Sequence, residues 1–513
     1  MNGAALPFVT ASSMQALDRQ TIDAGTSGEE LMDRAGRGIA TRILSLGFER
    51  ILFIAGQGNN GGDAFAAARY LHQAGKQVVV WRVAGSIDVA PKTAEAQFHL
   101  TAMRQEGITD TCLDPSDWPS LRRPLVDCVV DCLLGTGASG PPRGIYAEAC
   151  ELINRYRHEA YRIAVDLPTG MDADSGEIFA NCVEAEETLS LGFPKTGFTQ
   201  REAWAMTGSI RNLDIGIRPP AGNESTLAMV NSPAMLHRPA EAHKGSFGRV
   251  LLIGGSREFP GAIDLATRAT LRSGAGLVNV FTPHSIVDRV AQANPEAMVR
   301  GLAETDTGSL DASAVTEALA ALAQSGAPSA ILAGPGMTTH PETRGIIDLL
   351  LTEAPCPIVL DADALNVLAG DIVALNYAPY GVILTPHPGE MARLMGRSVL
   401  EVQADRLSTA MEAAARSSAV VILKGAGTIV AQRSHHPAIN LTGNPGMGCG
   451  GSGDVLAGLT AGLVAQGMQP GEAAHAAVYW HGDAGDRAAI RHGQASMKAS
   501  DIVDALASAM RGR

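Results

Sequence analysis

Two successive series of short, mostly apolar runs, each run followed by an amphipathic stretch, constrain this chain more than any other feature. In the first half the runs fall at 51–55, 78–83, 125–131 and 162–166. Helical patterns separate them at about 64–74, 91–105 and 145–156, and an amphipathic pattern over 12–46 precedes them. Continuous apolar runs alternating with helices describe strands buried on both faces, and hence a parallel sheet covered by helices on either side. The series restarts at Arg249 with RVLLIGGS and continues through 277–281, 330–333, 358–360, 382–384 and 420–423. A helix from Gly261 and a closing helix over 471–492 complete it. Between the series, Pro219, Pro220, Pro233 and Pro239 fall in a stretch of weak periodicity that reads as a linker. At 513 residues the chain exceeds one ordinary core. The expected fold is α/β: two three-layer α/β/α domains, the first Rossmann-like, over 1–218 and 241–513, with a linker at 219–240.

Charge and cysteines narrow the setting. The net charge of −13 disfavours nucleic acid and anionic membrane surfaces as partners. Small anions remain suitable ligands, because loops and helix starts bind phosphate whatever the global charge. No run approaches the roughly 20 apolar residues of a membrane span, and MNGAALPFVT lacks the basic and apolar regions of a signal peptide. Seven cysteines, an odd number without a CxxC pair, point to core thiols in a reducing compartment. The expected location is cytoplasmic.

The chemistry should lie at strand ends, since open parallel sheets bind ligands at their carboxyl edge. In the second half six Gly-rich or polar strings follow apolar runs: GGSREFPGA (254–262), AGPGM (333–337), DADALN (361–366), TPHPGE (385–390), KGAGT (424–428) and GMGCGGSGD (446–454). The last has five glycines in nine residues and ends in a carboxylate where a helix should begin. Its N–H groups can approach a phosphate closely, and the helix dipole favours an anion there. Asp454 is then placed to take a proton from a substrate hydroxyl, or else to cap the helix. His387 reads as a substrate contact or a structural residue, and Lys424 as a nucleotide-loop or an ordinary surface lysine. In the first half NNGGDA (59–64), DCLLGTGASG (131–140) and AVDLPTGMDADSG (164–176) occupy the corresponding ends. Asp131 and Asp166 serve a site there or simply form turns after strands. Two separate sets of loops suggest two sites.

From about His243 onward, KGSFGRVLLIGGS, PGA, GPG, DADALN, TPHPGE, KGAGT and GGSGDVLAG resemble the ADP-dependent NAD(P)H-hydrate dehydratases of the ribokinase-like fold. The resemblance implies that Lys424, Gly425, Ala426, Gly427, Thr428 and Gly453 hold the adenine nucleotide. It implies that Ala262, Gly336, His387 and Asp454 line the hydrate site, with Asp454 catalytic. ADP would be the co-substrate, accompanied by Mg2+. The implied reaction dehydrates the S hydrate of NADH or NADPH while ADP becomes AMP and phosphate. The chemistry is coherent: hydroxide leaves poorly, phosphorylation makes it a good leaving group, and the ring nitrogen can expel it.

The first half, through NNGGDA, DCLLGTGASG, AVDLPTGMDADSG and LGFPKTG, is similar to NAD(P)H-hydrate epimerase domains. Ala64 stands where the family usually has Gly, and Thr169 where it commonly has Ser. The implied hydrate contacts are Asn59, Asn60, Gly61, Gly62, Asp63, Gly135, Thr136, Gly137, Ala138, Ser139, Gly140, Pro141 and Asp166. Asn60, Asp131 and Thr169 would ligate K+, for which oxygen donors are suited. Asp166 is the expected acid–base group, with Lys195 second. The expected partners are NADH hydrate, NADPH hydrate, ADP and, as a homo-oligomer, further copies of the chain. Two other readings stay open: a kinase of a sugar or hydroxymethyl-pyrimidine, leaving a stable phosphorylated product, and a first half that only docks nucleotides or partners.

Overall fold

The computed structural model describes residues 5–84, 89–113, 123–220 and 226–511. Two compact units divide the chain: Leu6–Ser225 form the first, and Thr226–Arg513 with Met1–Ala5 form the second. The short strand Ala5–Pro7 (β1) lies at an edge of the second unit's sheet.

In the first unit the described strands are Arg50–Ala55 (β2), Gln77–Val83 (β3), Asp110–Leu113 (β4), Cys128–Cys132 (β5), Tyr161–Val165 (β6), Glu187–Leu191 (β7) and Ser209–Leu213 (β8). They form one parallel sheet in the order β4-β3-β2-β5-β6-β7-β8. The chain builds outward from β2 through β3 to β4, then returns to the other side of β2 with β5. That reversal opens a crevice at the carboxyl ends of β2 and β5. On one face Leu52, Ile54 and Val129 pack with Ala149, Leu152 and Ile153 of the helix Ile145–Asn154.

Two sequence expectations need correction here. The single helical pattern over 12–46 is two helices, Ala11–Asp23 and Gly28–Leu46. Gly25 turns the chain with φ 106°, and the Ser27 side chain caps the second helix by accepting the Glu30 N–H. The NNGGD motif is not a loop but the first turn of the helix Asn59–Gln73. Glycine is required there because a Cβ on Gly61 would lie 2.0 Å from the Gly56 carbonyl oxygen. The helix start is thus pressed against the end of β2. Ala64, the departure from the family pattern, is fully buried one turn further on.

In the second unit the strands are Ala228–Val230 (β9), Arg249–Ile253 (β10), Leu277–Pro283 (β11), Met298–Leu302 (β12), Ala330–Ala333 (β13), Ile358–Leu360 (β14), Val382–Leu384 (β15), Val420–Leu423 (β16), Thr428–Ala431 (β17) and Ala438–Asn440 (β18). The sheet order is β1-β9-β18-β17-β16-β15-β14-β13-β10-β11-β12. The strands from β10 to β16 run parallel, while β17 is antiparallel to both β16 and β18. Val250 and Leu252 face one core and Leu251 and Ile253 the other, as the strand period of two requires. Helices cover both faces, so the unit has the expected three layers. The strand order reverses between β10 and β13. Inside the segment expected to be a linker, β9 pairs with β18 through Ala228 with Ala438 and Met229 with Ile439. The unit therefore begins ahead of residue 241.

Candidate active sites

In the first unit three strand ends meet at the crevice. The buried Asn60 donates through Nδ2 to the carbonyls of Leu134 at 3.1 Å and Val165 at 3.2 Å, joining the turns after β5 and β6. A Cβ on Gly135 would lie 3.2 Å from Asp166 Oδ2 and 3.6 Å from the Asn60 Cβ, so these residues are neighbours. The Thr136 N–H reaches Asp166 Oδ2 at 3.3 Å. Asn59, Gly137, Ala138, Ser139 and Pro141 are exposed along the loop edges, with Gly140 half-buried at φ 75°. Gly61 and Gly62 are different: their Cβ positions point at the Gly56 carbonyl and at Met32. They permit close packing, and only their backbone could meet a ligand.

Asp166 has φ 69°, a left-handed conformation unusual for a residue with a side chain and one that clusters at functional sites. Its Oδ1 pairs with the ammonium of Lys195, which is fully buried. That ammonium also donates to Leu191 O at 2.9 Å and Ser190 Oγ at 3.2 Å. The segment carrying it is fixed by Val9, whose N–H donates to Pro194 O at 2.9 Å and whose carbonyl accepts from the Thr196 N–H at 3.0 Å. The same N-terminal segment leads into the helix Ala11–Asp23, which brings Asp18 into the cluster. Burial, and then the charge of Asp166, push the Asp18 carboxyl up to about 6. Burial, Asp166 and Asp18 push Asp63 well above the carboxylate range. Three carboxyls thus share one ammonium, an arrangement suited to proton transfer near neutral pH. Asp18 had no motif to mark it.

Asp131 lies deeper, with no exposed surface. It accepts from the Leu133 N–H at 3.1 Å, the Thr169 N–H at 2.8 Å and the Thr169 hydroxyl at 2.9 Å. Burial pushes its carboxyl up to about 6, and no cationic side chain among the described residues offsets the charge. Asn60 Oδ1 is buried without a partner. An uncompensated carboxylate and an orphaned amide oxygen, both beside the Leu134 segment, fit a monovalent cation held by oxygen donors. Among the described residues no trio of His, Cys, Asp and Glu is placed to hold a metal ion. Cys128 and Cys132 are buried free thiols.

In the second unit the helix Ser452–Ala465 starts inside the last three residues of the glycine-rich string. Its N-cap is Gly451 at φ 91°, so Asp454 sits inside the first turn and is not the cap. The N–H groups of Gly453 and Asp454 have no protein partner among the described residues, as expected of an anion site at a helix start. Burial, followed by the neighbouring charge of Asp361, pushes Asp454 up to about 8. The Lys424 ammonium lies against the same turn, since a Cβ on Gly453 would be 3.0 Å from Nζ. It pairs with Asp361 Oδ1 at 2.7 Å and Glu390 Oε2 at 3.8 Å. Thr385 donates its hydroxyl to the same Asp361 oxygen at 2.7 Å. Burial pulls the ammonium down, but Asp361 and Glu390 outweigh it and the Lys424 value is raised. Lys424 is therefore no ordinary surface lysine. Its backbone belongs to the 424–428 loop and its charge to the carboxylate cluster.

His387 caps the helix Pro388–Met395: its Nδ1 accepts from the Gly389 N–H at 2.9 Å and the Glu390 N–H at 3.3 Å. Glu390 reciprocates by accepting the His387 N–H at 2.7 Å. The ring is half exposed, burial and Lys424 hold it below the usual imidazole value, and its Nε2 lies 3.4 Å from Glu390 Oε1. His387 combines the structural role with a half-exposed ring. Ala262, near the start of the helix Pro260–Arg272, adjoins Gly336, where a Cβ would come within 3.2 Å of the Ala262 Cβ. Gly336 has φ 66°. This pair lies at the strand-order reversal between β10 and β13. Asp361 and Glu390 lie within the DADALN and TPHPGE strings, while His481, whose Nε2 lies 3.4 Å from the Ser452 hydroxyl, has no motif to mark it.

Two parallel-sheet units, each with polar strand ends converging where strand order reverses, define an α/β enzyme with two small-molecule sites. Residues 250–508 match the family model described as NAD(P)H-hydrate dehydratase, and residues 28–197 the one described as YjeF-related protein N-terminus. The chain is 38% identical to the bifunctional NAD(P)H-hydrate repair enzyme Nnr of Moorella thermoacetica, over 98% of this chain and 96% of that protein. It is 36% identical to the bifunctional NAD(P)H-hydrate repair enzyme of Leishmania braziliensis, over 92% and 88%. Among solved structures, the ADP/ATP-dependent NAD(P)H-hydrate dehydratase from Bacillus subtilis is 32% identical with a TM-score of 0.46, covering 53% of this chain and 92% of that one. The chain belongs to the family of bifunctional NAD(P)H-hydrate repair enzymes.

Proposed function

We propose that the first unit interconverts the R and S hydrates of NADH and NADPH, and that the second dehydrates the S hydrate with conversion of ADP to AMP and phosphate. The observation that carries the second activity is the helix start at 453–454. There, unpartnered N–H groups, the Lys424 ammonium and a proton-accepting carboxyl stand together. In its ionised form Asp454 takes the proton of the hydrate hydroxyl as that oxygen attacks the terminal phosphorus of ADP. AMP leaves, and the Gly453 and Asp454 N–H groups hold the transferred phosphoryl group. The ring nitrogen lone pair then expels phosphate, and loss of a proton from the adjacent ring carbon restores the reduced nicotinamide. Mg2+ would enter with the nucleotide's phosphates, which it neutralises.

In the first unit the hydroxyl leaves with a proton, the ring nitrogen holding the resulting cation. Water returns on either face and gives up a proton. Asp166 with Lys195 handles these protons, with Asp63 and Asp18 beside them. Asn60, Asp131 and Thr169 would hold K+, whose charge offsets Asp131 and draws the loops after β5 and β6 together. Seven free cysteines support a reducing, cytoplasmic setting, and no described helix is long and apolar enough to cross a membrane.

The test is incubation with NADH hydrate and ADP, following NADH absorbance and phosphate release. Recovery of absorbance with equimolar phosphate supports the reading. A stable phosphorylated product without recovered absorbance favours a kinase instead.

A further inference from the structure

Arg406 opens the helix Arg406–Ser417, and no sequence motif marks it. Its guanidinium gathers carbonyls from the loop that follows β16. Nη2 donates to the carbonyls of Leu423 and Lys424 at 3.1 Å each, and Nη1 to that of Ala426. Within a planar trans peptide, the carbonyl and the next N–H point in opposite directions. Drawing the Lys424 and Ala426 carbonyls toward Arg406 therefore turns the N–H groups of Gly425 and Gly427 the other way. Neither N–H has a protein partner among the described residues. The intervening peptide is fixed separately, because the Thr428 hydroxyl donates to the Gly425 carbonyl at 2.9 Å. Gly425 and Gly427 have φ 139° and 60°, and a Cβ on Gly425 would lie 3.0 Å from Arg406 Nη2. Two N–H groups freed on one side of a glycine turn form an anion-binding nest.

We infer that Arg406 is a positioning residue for the nucleotide: it holds the 424–428 loop so that the Gly425 and Gly427 N–H groups face the phosphates of ADP. The inference rests on the reading of that loop as the nucleotide loop. Arg406 acts from behind the loop, through its carbonyls. A lysine would not replace it, because one ammonium cannot reproduce a planar fork shared among three carbonyls. The loop is ordered before the nucleotide arrives, so the contribution is to ADP binding and not to the chemical step.

The test is steady-state kinetics of the full chain with S hydrate and ADP. Arg406→Lys and Arg406→Gln should raise KM for ADP about tenfold or more, with kcat within about twofold and KM for the hydrate unchanged. Guanidinium ion added to Arg406→Ala should restore the ADP KM, a rescue that a role in folding alone would not show. An unchanged ADP KM, an equal loss in all parameters, or no rescue would overturn the inference. Gly427→Val, which fills the nest, separates the two readings. If it raises the ADP KM while the Arg406 variants do not, only the role of Arg406 fails. If it too leaves the ADP KM unchanged, the nucleotide loop itself is misassigned.

Discussion

The Lys424 ammonium lies 2.7 Å from Asp361 Oδ1, so its charge is committed to that carboxylate, and Asp454 keeps its proton to about pH 8. Against an ordinary value of 3.8, the folded state binds this proton over a window in which the unfolded chain has released it. Stability from this group therefore falls as pH rises through that window. Asp454→Asn should remove the penalty together with the activity. The variant should lose roughly 10² or more in dehydration, yet melt at a higher temperature than the parent at pH 8. The gap between them should shrink toward pH 4. Paired melting curves across that range check the sign, and near-normal turnover would remove Asp454 from the mechanism.

Lys195 is fully buried against Asp166. Lys195→Met should strip the carboxylate of its counter-ion and destabilise the first unit by about 3–5 kcal/mol. It should also slow epimerisation strongly. Dehydration of purified S hydrate should be unchanged, as an assay on separated epimers will report.

Among the described residues Asp131 has no counter-charge and Asn60 Oδ1 no partner. Asp131→Ala should slow conversion of the R hydrate and remove any dependence on K+, while the S phase of a two-phase assay stays intact. Equal loss in both phases would make Asp131 a residue of the whole fold.

The strand Ala228–Val230 pairs with Ala438–Asn440. A piece comprising residues 226–513 should unfold cooperatively and melt at a higher temperature than one comprising 241–513, which leaves that edge unpaired. Equal melting temperatures would make β9 dispensable.

The sequence revealed strands whose two faces are both apolar and obscured those that carry buried charge. The run ETLSL of β7 has no apolar pattern because Glu187 is there fully buried, paired with Arg42 at 2.8 Å and Arg211 at 2.5 Å. Ser190 spends its hydroxyl on the Phe193 carbonyl at 3.2 Å. Such a strand looks polar, although every polar group is satisfied inside. The site divides similarly. Asp454 stands in a glycine-rich string and Asp166 in a run of turn residues, each directly after an apolar strand. Asp18 lies on an amphipathic helix far away in sequence, and Arg406 at the start of one 17 to 20 residues before the carbonyls it holds, where nothing local distinguishes them from surface charges. Their partners are set by packing alone.

The central claim is that one chain repairs both hydrate epimers at the cost of one ADP each. The most direct measurement gives the intact chain a defined mixture of R and S NADH hydrate with excess ADP, and follows NADH, AMP and phosphate to completion. The account predicts recovery of all the NADH in two phases, with one AMP and one phosphate per NADH throughout. Recovery that halts at the S fraction, or nucleotide turnover out of step with NADH, would contradict it.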